Sequence, residues 1–371
     1  MRSFLFVISV ILLSLDSFSQ AYKDFVRSGN LKLYVRDYQG AIKDFSNAVS
    51  MDPGNASAYL YRGIAKQSLK NFEGAIRDFT QAARIDHKNE DAYLFRAKAK
   101  KESRDFLGAM DDYHHAIRIN PKNAKTYYYK SDVEVAAGFY QSALADLTKS
   151  IKLDSNFADA WFSRGLLYNE LVLFKKAIVD FNKAIEIKPA VSNFYMYRGH
   201  AKYNLKNYRE AIADYTRAIV LDPKASESYL FRGYAEQYLK NYERAIEDIS
   251  MTIGLNSQVT VTNADSARIV YVLVSPEGDD TINLHVDKND PVKAGPYYFR
   301  GLAKDSLRDY QGAIVDYSKA IEIDPTYKEA YFSRGVAKIN AGKKDSGYAD
   351  LRKSRQLGML KVRKEMRKHR K

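Results

Sequence analysis

The chain has 371 residues, a formal net charge of +14 and no cysteine. Without cysteine it can have neither a disulfide framework, nor a thiolate metal site, nor a cysteine nucleophile. A chain of this length usually forms about two or three globular domains, unless it is a repeat array that grows by adding neighbours.

The N-terminus carries the pattern of an export signal. A short basic start is followed by the apolar run Phe4–Leu15, and small residues at Ser17 and Ser19 precede Gln20. This order predicts a signal peptide over residues 1–19 that is cleaved after Ser19. We therefore expect an exported protein, periplasmic or secreted. An uncleaved membrane anchor is the alternative, although the apolar run is short for a membrane span.

A pattern with a period of 34 residues then runs almost to the C-terminus. Each copy has a small residue, an aromatic residue four positions before it, and a second small residue further on. The first small residues are Gly29, Gly63, Ala97, Ser131, Gly165, Gly199, Gly233, Gly301 and Gly335. Nine copies in phase predict a helix–turn–helix array. The small residues are expected where two helices cross, with the aromatic residue of the first helix filling the space that they leave.

At these residues the chain resembles the tetratricopeptide repeat family, whose pattern is an aromatic, then Gly, then Ala-x-x-x-Phe, a small residue and Pro. The resemblance covers residues 22–257 and 294–357. It implies an all-α, right-handed superhelical solenoid of about nine 34-residue repeats, seven over residues 20–257 and two over residues 294–357. It also implies a concave face that binds peptides or partner proteins, without catalysis.

Two charged positions recur with the same period. The second helix carries Asp one residue before its aromatic position in all nine copies, and the first helix carries Arg in seven. Because guanidinium and carboxylate can pair through two parallel hydrogen bonds, this predicts an Arg–Asp ladder between helices. We expect the ladder to be part of the scaffold rather than a ligand site.

Residues 258–293 interrupt the array and lose both small residues. Arg268–Ser275 and Thr281–Val286 are rich in β-branched residues and are separated by the turn Pro276–Asp280, which predicts a small β-hairpin insert. Gln258–Thr262 would add a third strand. The insert is either a binding device or an inert decoration, and a degenerate helical repeat is the structural alternative.

The C-terminus is strongly basic, with ten Lys or Arg and one Glu over Arg352–Lys371. A polar segment here would cap the solenoid. The positive charge would also attract an anionic surface such as phospholipid, a cell-wall polymer or nucleic acid; the lack of aromatic residues disfavours nucleic acid. The tail proper is 358–371, and the cations assigned to such a surface are Arg352, Lys353, Arg355, Lys361, Arg363, Lys364, Arg367, Lys368, Arg370 and Lys371.

The search for catalytic chemistry is negative. The six histidines have no zinc-binding spacing, and the sequence has no phosphate-binding loop, nucleophile elbow or dinucleotide glycine motif. The insert offers only His285 and a few carboxylates. We therefore expect no enzyme activity, no metal and no cofactor.

The sequence favours a protein–protein interaction scaffold that binds a peptide or protein partner on its concave face. An envelope-associated structural protein, held on an anionic surface by its basic tail, is the alternative. The residue after each first-helix aromatic, with the positions four and seven further on, forms a stripe expected on the concave side. The partner-binding residues predicted on it are Tyr128, Phe162, Asn169, Met196, His200, Tyr203, Tyr234 and Gln237. Packing between neighbouring first helices is the alternative role for this stripe.

Overall fold

A computed structural model describes residues 19–258, 271–274, 281–284, 294–360 and 362. Nearly all of them lie in helices that pair within each repeat as a first helix (A) and a second helix (B). The A helices are α1 (19–34), α3 (Ala56–Ser68), α5 (Glu90–Glu102), α7 (Ala124–Ala136), α9 (Ala158–Glu170), α11 (Ser192–Asn204), α13 (Ser226–Tyr238), α15 (Ala294–Ser306) and α17 (Lys328–Asn340). The B helices are α2 (Tyr38–Met51), α4 (Phe72–Ile85), α6 (Phe106–Ile119), α8 (Tyr140–Leu153), α10 (Phe174–Ile187), α12 (Tyr208–Leu221), α14 (Tyr242–Gln258), α16 (Tyr310–Ile323) and α18 (Lys344–Gln356).

A short turn joins the two helices of each repeat, and its residues explain why the chain reverses there. In the second repeat Lys70 adopts a left-handed backbone with φ of 59°. Asn71 then caps α4 by accepting a hydrogen bond from the backbone N–H of Gly74, which satisfies one of the free donors of the first turn. A Cβ at position 74 would lie 2.8 Å from the Asn71 amide. Glycine is therefore needed for this close cap.

The two helices of a repeat cross where a glycine of helix A meets a buried aromatic ring of helix B. A Cβ on Gly63 would lie 2.5 Å from the ring of Phe79, and Phe79 is completely buried. The prediction that the helix A aromatic fills this space is wrong. That residue, Tyr59, is only half-buried, and the Arg62 guanidinium lies over its ring at 5.4 Å.

The described residues up to Ala160 form one compact unit, the N-terminal unit, and those from Trp161 onward form a second, the C-terminal unit. Each is a stack of helix–turn–helix repeats whose core lies between helices of the same and of adjacent repeats. The N-terminal unit has separate small clusters, such as the one around Leu60, Phe79 and Tyr93. The C-terminal unit has a larger cluster that runs from Met196 to Ala337, in addition to smaller ones such as that of Ala177, Phe181 and Ala201.

The two repeats on either side of the insert are direct neighbours. The Tyr234 and Phe299 rings lie 4.3 Å apart, and the side-chain amide of Gln237 donates to the Phe299 carbonyl oxygen at 3.1 Å. The helices α14 and α15 therefore pack directly against each other. Within the insert, β1 (Tyr271–Val274) and β2 (Thr281–Leu284) pair antiparallel, with Tyr271 opposite Leu284. These strands lie inside the two ranges predicted for the hairpin.

The last repeat is partly covered by the segment that follows α18. Val362 is completely buried and packs with Ile339, Leu351 and Met359. The end of the stack is therefore covered by apolar contacts as well as by basic residues. Within the described ranges, no helix combines the length and apolar content that crossing a bilayer requires. The segment 1–18 of the predicted signal lies outside the described residues.

Candidate functional site

The predicted Arg–Asp ladder is confirmed, and it joins the two helices in the seven repeats that carry the arginine. In the repeat α11–α12, Arg198 donates from Nε and Nη2 to the two carboxylate oxygens of Asp214, at 2.9 and 2.5 Å. Lys202 adds a second cation, 2.8 Å from Asp214 Oδ2. Because Asp214 is buried, its charge requires such partners.

The same arginines also connect neighbouring repeats. Arg198 donates from Nη1 to Asn182 on the preceding B helix at 2.8 Å, and Arg334 donates in the same way to Ser318 at 3.1 Å. All three nitrogens of these guanidinium groups are thus engaged within the protein. The ladder is therefore a structural device that connects helices within and between repeats.

The fourth repeat changes the charges of the ladder, because Glu134 stands where Lys202 stands in the sixth repeat. Lys130 replaces the arginine and lies 2.5 Å from both Glu134 and Asp146, so that one ammonium serves two carboxylates. Glu134 is buried, and its Oε2 has no hydrogen-bond partner among the described residues. Desolvation raises the pKa of Glu134 above its ordinary value. This repeat is electrostatically less well compensated than its neighbours.

Four of the residues predicted to bind a partner belong to the core of the C-terminal unit. Met196, His200, Tyr203 and Tyr234 are between 2% and 6% exposed. Met196, Tyr203 and Tyr234 share one hydrophobic cluster, and burial raises the pKa of the Tyr203 hydroxyl well above its usual range. A partner cannot reach these side chains without displacing them. In this unit the stripe therefore serves packing between A helices, and binding by these four residues stays a prediction.

His200 lies among aromatic rings and two polar groups. Its Nδ1 is 3.0 Å from the Tyr215 hydroxyl oxygen, its Nε2 is 3.7 Å from a Glu227 carboxylate oxygen, and its ring meets the Phe231 ring edge-on at 4.3 Å. Such a setting fixes the orientation of the imidazole. It is the setting of a packed core histidine.

The other predicted binding residues are half-buried. Phe162 packs against Phe181 and Phe194, Gln237 is engaged with the α15 backbone, and Asn169 has a buried Oδ1 atom without a hydrogen-bond partner in the described residues. Tyr128 lies in the N-terminal unit, its ring 4.9 Å from that of Phe157. Within the C-terminal unit, the predicted residues therefore divide between buried and half-buried positions.

A more open A-helix face lies in the N-terminal unit, on α3, α5 and α7. We call Tyr61, Phe95, Lys98, Tyr128 and Tyr129 the N-terminal A-face; all five are half-buried. Tyr61 and Phe95 stack on the buried Phe45 and Phe79 of the preceding B helices, each pair 5.8 Å apart. One side of each ring is thus fixed by the core. At the same repeat position on α13 and α15, Phe231 and Phe299 are buried, whereas Tyr197 on α11 is half-buried.

Lys98 is the central cation of this face. Its ammonium lies 3.9 Å from the Tyr129 ring centroid and 5.4 Å from that of Phe95, and no carboxylate of the described residues is within ion-pair distance of it. The two other lysines of the same helix are paired: Lys100 with Asp112 at 2.8 Å and Lys101 with the exposed Asp132 at 2.5 Å. Lys98 therefore has cation–π partners but lacks an anion.

Sequence reasoning missed most of this face. Lys98 lies on the predicted stripe, four residues after Leu94, but partner-binding residues were assigned only from the fourth repeat onward, so that Lys98 was not among them. The signal that could have located the face is a second aromatic residue, two positions after the helix A aromatic, as in Tyr61, Phe95 and Tyr129.

Of the tail cations assigned to an anionic surface, Arg352, Lys353 and Arg355 lie on the exposed side of α18, whereas Leu351 and Ser354 face the core. The side chains of Lys361 and of the cations from Arg363 onward lie outside the described residues. The described side chains contain no group of three or more acidic or histidine residues that could hold a metal ion.

Three family models match parts of the sequence. One described as TPR repeat matches residues 306–342. One described as Tetratricopeptide repeat matches residues 158–190 and 192–225, and another with the same description matches residues 26–90. No curated protein sequence matches the chain.

Solved structures of repeat proteins are similar to this chain. The C-terminal part of a TPR repeat-containing protein from Cytophaga hutchinsonii has a TM-score of 0.54 at 16% identity, over 63% of this chain and 96% of that one. A tetratricopeptide repeat protein from Parabacteroides merdae has a TM-score of 0.51 at 18% identity, over 64% and 93%. MamA has a TM-score of 0.42 at 25% identity, over 46% and 92%. The first two likenesses show the fold alone.

Proposed function

Because the chain belongs to the tetratricopeptide repeat family, we propose that it is a non-enzymatic protein–protein interaction scaffold that binds a peptide or protein segment on the N-terminal A-face. The observation that carries the proposal is Lys98, a half-buried cation held between two aromatic rings without an anionic partner among the described residues. Partner binding on A helices is the use that the family resemblance implies.

The chemistry of this face defines the partner. A carboxylate that approaches Lys98 gains a charge-assisted hydrogen bond in a partly desolvated site, while Phe95 and Tyr129 offer apolar ring surface on either side. Large rigid side chains provide contact area at low entropic cost. The segment that fits is therefore acidic at one position and apolar at the flanking ones.

The contrast with α13 and α15 supports this location. At the same repeat position as Tyr61 and Phe95, these two helices have Phe231 and Phe299, both less than 10% exposed, whereas Tyr197 on α11 is half-buried. The rings of Phe231 and Phe299 are already used in packing between A helices. The rings of the N-terminal unit keep part of their surface available for a partner.

Selection of random displayed peptides on the chain lacking residues 1–19 tests the proposal. We expect enriched peptides to contain Asp or Glu beside large apolar residues, and Lys98→Met to weaken their binding by about tenfold or more. Met retains much of the apolar stem and removes the charge. Lys149→Met is the matched control, since Lys149 also lies over a tyrosine ring, Tyr127 at 6.0 Å, but on a B helix. Equal binding by both variants would refute the site.

A second function is favoured by the exposed cations of α18. Arg352, Lys353 and Arg355 point away from the core, as an electrostatic contact with an anionic envelope component requires. Replacing all three with Gln should weaken binding to vesicles rich in anionic lipid, and the loss should shrink as salt rises, because screening shortens to about 8 Å at 0.15 M. Binding that is insensitive to both changes would exclude this contact. Export of the chain, periplasmic or secreted, is part of both proposals.

A further inference from the structure

The turn between α9 and α10 breaks the pattern that every other repeat follows. Its left-handed residue is Val172, whereas the corresponding residues of the other described repeats are lysine, arginine or glycine: Arg36, Lys70, Arg104, Gly138, Lys206, Lys240, Arg308 and Gly342. The next residue is Leu173, where most repeats have Asp or Asn. Val172 is 67% exposed and Leu173 is 40% exposed. Two large apolar side chains thus form the tip of this turn.

The turn is locally unfavourable for folding. Val172 has φ of 62°, a backbone region that is rare for a β-branched residue because its Cβ approaches the following carbonyl oxygen. Leu173 is the N-cap of α10 and makes no side-chain cap hydrogen bond. Val172 stays mostly exposed, so the strained backbone gains little burial in return. Residues that break local rules without a gain in packing mark candidate functional positions.

The residues behind the tip are basic. Lys175 and Lys176 lie in the first turn of α10 and are exposed, although cations are disfavoured at a helix N-terminus. Lys176 also lies over the Tyr168 ring at 5.5 Å. Glu170, which ends α9, is the exposed acidic residue next to the turn. The local charge is therefore positive, immediately behind an apolar tip.

We propose that the turn Val172–Leu173 inserts into the interface of an anionic lipid membrane, with Lys175 and Lys176 on the lipid phosphates. Apolar side chains that enter the acyl boundary beside cations at headgroup level are the arrangement by which peripheral proteins bind membranes. Long lysine side chains can keep the ammonium at the headgroups while their stems follow the apolar tip. A protein partner is the other occupant to be tested. It is disfavoured because Val and Leu are under-represented at protein hot spots and because the lysines beside the tip complement lipid phosphates directly.

The proposed insertion and the contact of the basic tail differ in how membrane binding depends on salt. The tail acts through charge alone and is screened by salt, whereas insertion of Val172 and Leu173 buries apolar surface and persists at high salt. The two contributions can therefore be separated in one chain.

A site-specific label tests the insertion. The chain has no cysteine, so Val172→Cys gives a single position for an environment-sensitive fluorophore. Lys206→Cys is the matched control, because Lys206 occupies the same left-handed position one repeat later. With phosphatidylglycerol-containing vesicles in 0.5 M salt, we expect a blue shift and quenching by brominated lipid at position 172 and neither at position 206. Labels that stay in water at both positions would overturn the proposal.

The double variant Val172→Lys/Leu173→Asn gives the chain the pair found at Lys206–Asn207. We expect its partition onto the same vesicles in 0.5 M salt to fall by about tenfold or more, with a thermal midpoint that does not decrease, since the strained valine is removed. Lys175→Gln/Lys176→Gln should lower binding to anionic vesicles and leave binding to neutral ones unchanged. Unchanged partition of the Lys–Asn variant would also overturn the proposal, as would loss of a protein partner without any vesicle insertion.

Discussion

Removing Asp180 should destabilise the C-terminal unit because it leaves a partly buried arginine without its counter-ion. Arg164 donates from Nε and Nη2 to the two Asp180 oxygens at 2.7 and 2.8 Å, and the side chains are 14% and 3% exposed. In this repeat Tyr168 stands where most other repeats have lysine as a second cation, so that no lysine shares the carboxylate. The pair can therefore be tested by itself.

The expected cost of Asp180→Leu is about 3 kcal/mol, the usual loss when one partner of a buried ion pair is removed. With a urea dependence of about 2 kcal/mol per molar, the unfolding midpoint should fall by about 1.5 M. The double variant Arg164→Met/Asp180→Leu should recover most of this loss, since apolar replacement of a buried pair is often neutral or stabilising.

Tryptophan fluorescence is a suitable readout, because Trp161 is the single tryptophan of the chain and the Arg164 guanidinium lies 4.9 Å from its ring centroid. Lys183→Ala is the control on the same helix, since its pair with Glu186 is exposed and such pairs contribute at most about 1 kcal/mol. If Asp180→Leu shifts the midpoint no more than Lys183→Ala does, the ladder does not stabilise the stack as argued.

Three further predictions concern other parts of the chain. Desolvation raises the pKa of Asp305 from 3.8 to about 6. The protonated carboxyl therefore contributes its full stability below pH 3.8, and this stability is lost as the pH rises through 6. Asp305→Asn should stabilise the protein by about 1 kcal/mol at pH 8 and hardly at pH 4, as measured by thermal melts at both values. Tyr203→Ala with Tyr234→Ala should remove about 3 kcal/mol or more and lower the circular-dichroism melting midpoint, whereas Tyr34→Ala, at an 87% exposed position, should not. Intact-mass measurement on the native protein should give a mature N-terminus at Gln20, and a soluble form that retains Met1 would contradict cleavage.

Much of the fold could be predicted from the sequence because each repeat carries the same local signals. Small residues at Gly63 and Ala75, with an aromatic at Phe79, define a helix crossing within one repeat. These contacts are close in sequence, and their nine-fold recurrence removes the ambiguity of any single copy. The ladder was predictable for the same reason, since Arg and Asp keep a constant spacing.

The candidate site was less predictable, because exposure depends on contacts between repeats. Tyr203 and Phe95 are both aromatic residues on A helices, yet Tyr203 is 6% exposed and Phe95 is half-buried. The difference arises from the neighbours: Tyr203 meets Tyr208, Phe231 and Tyr238. No periodicity within one repeat reveals how much of a ring the next repeat covers.

By itself the sequence determined the helix–turn–helix repeat, its period and the pairing of Arg with Asp, since these depend on residues at most about one repeat apart. Only the tertiary structure decided that the repeats on either side of the insert touch directly, because Gln237 and Phe299 are brought together across 62 positions. It also decided which A-helix face is filled and which stays open. Burial is a property of all the elements packed around a residue, and the sequence of one helix does not contain it.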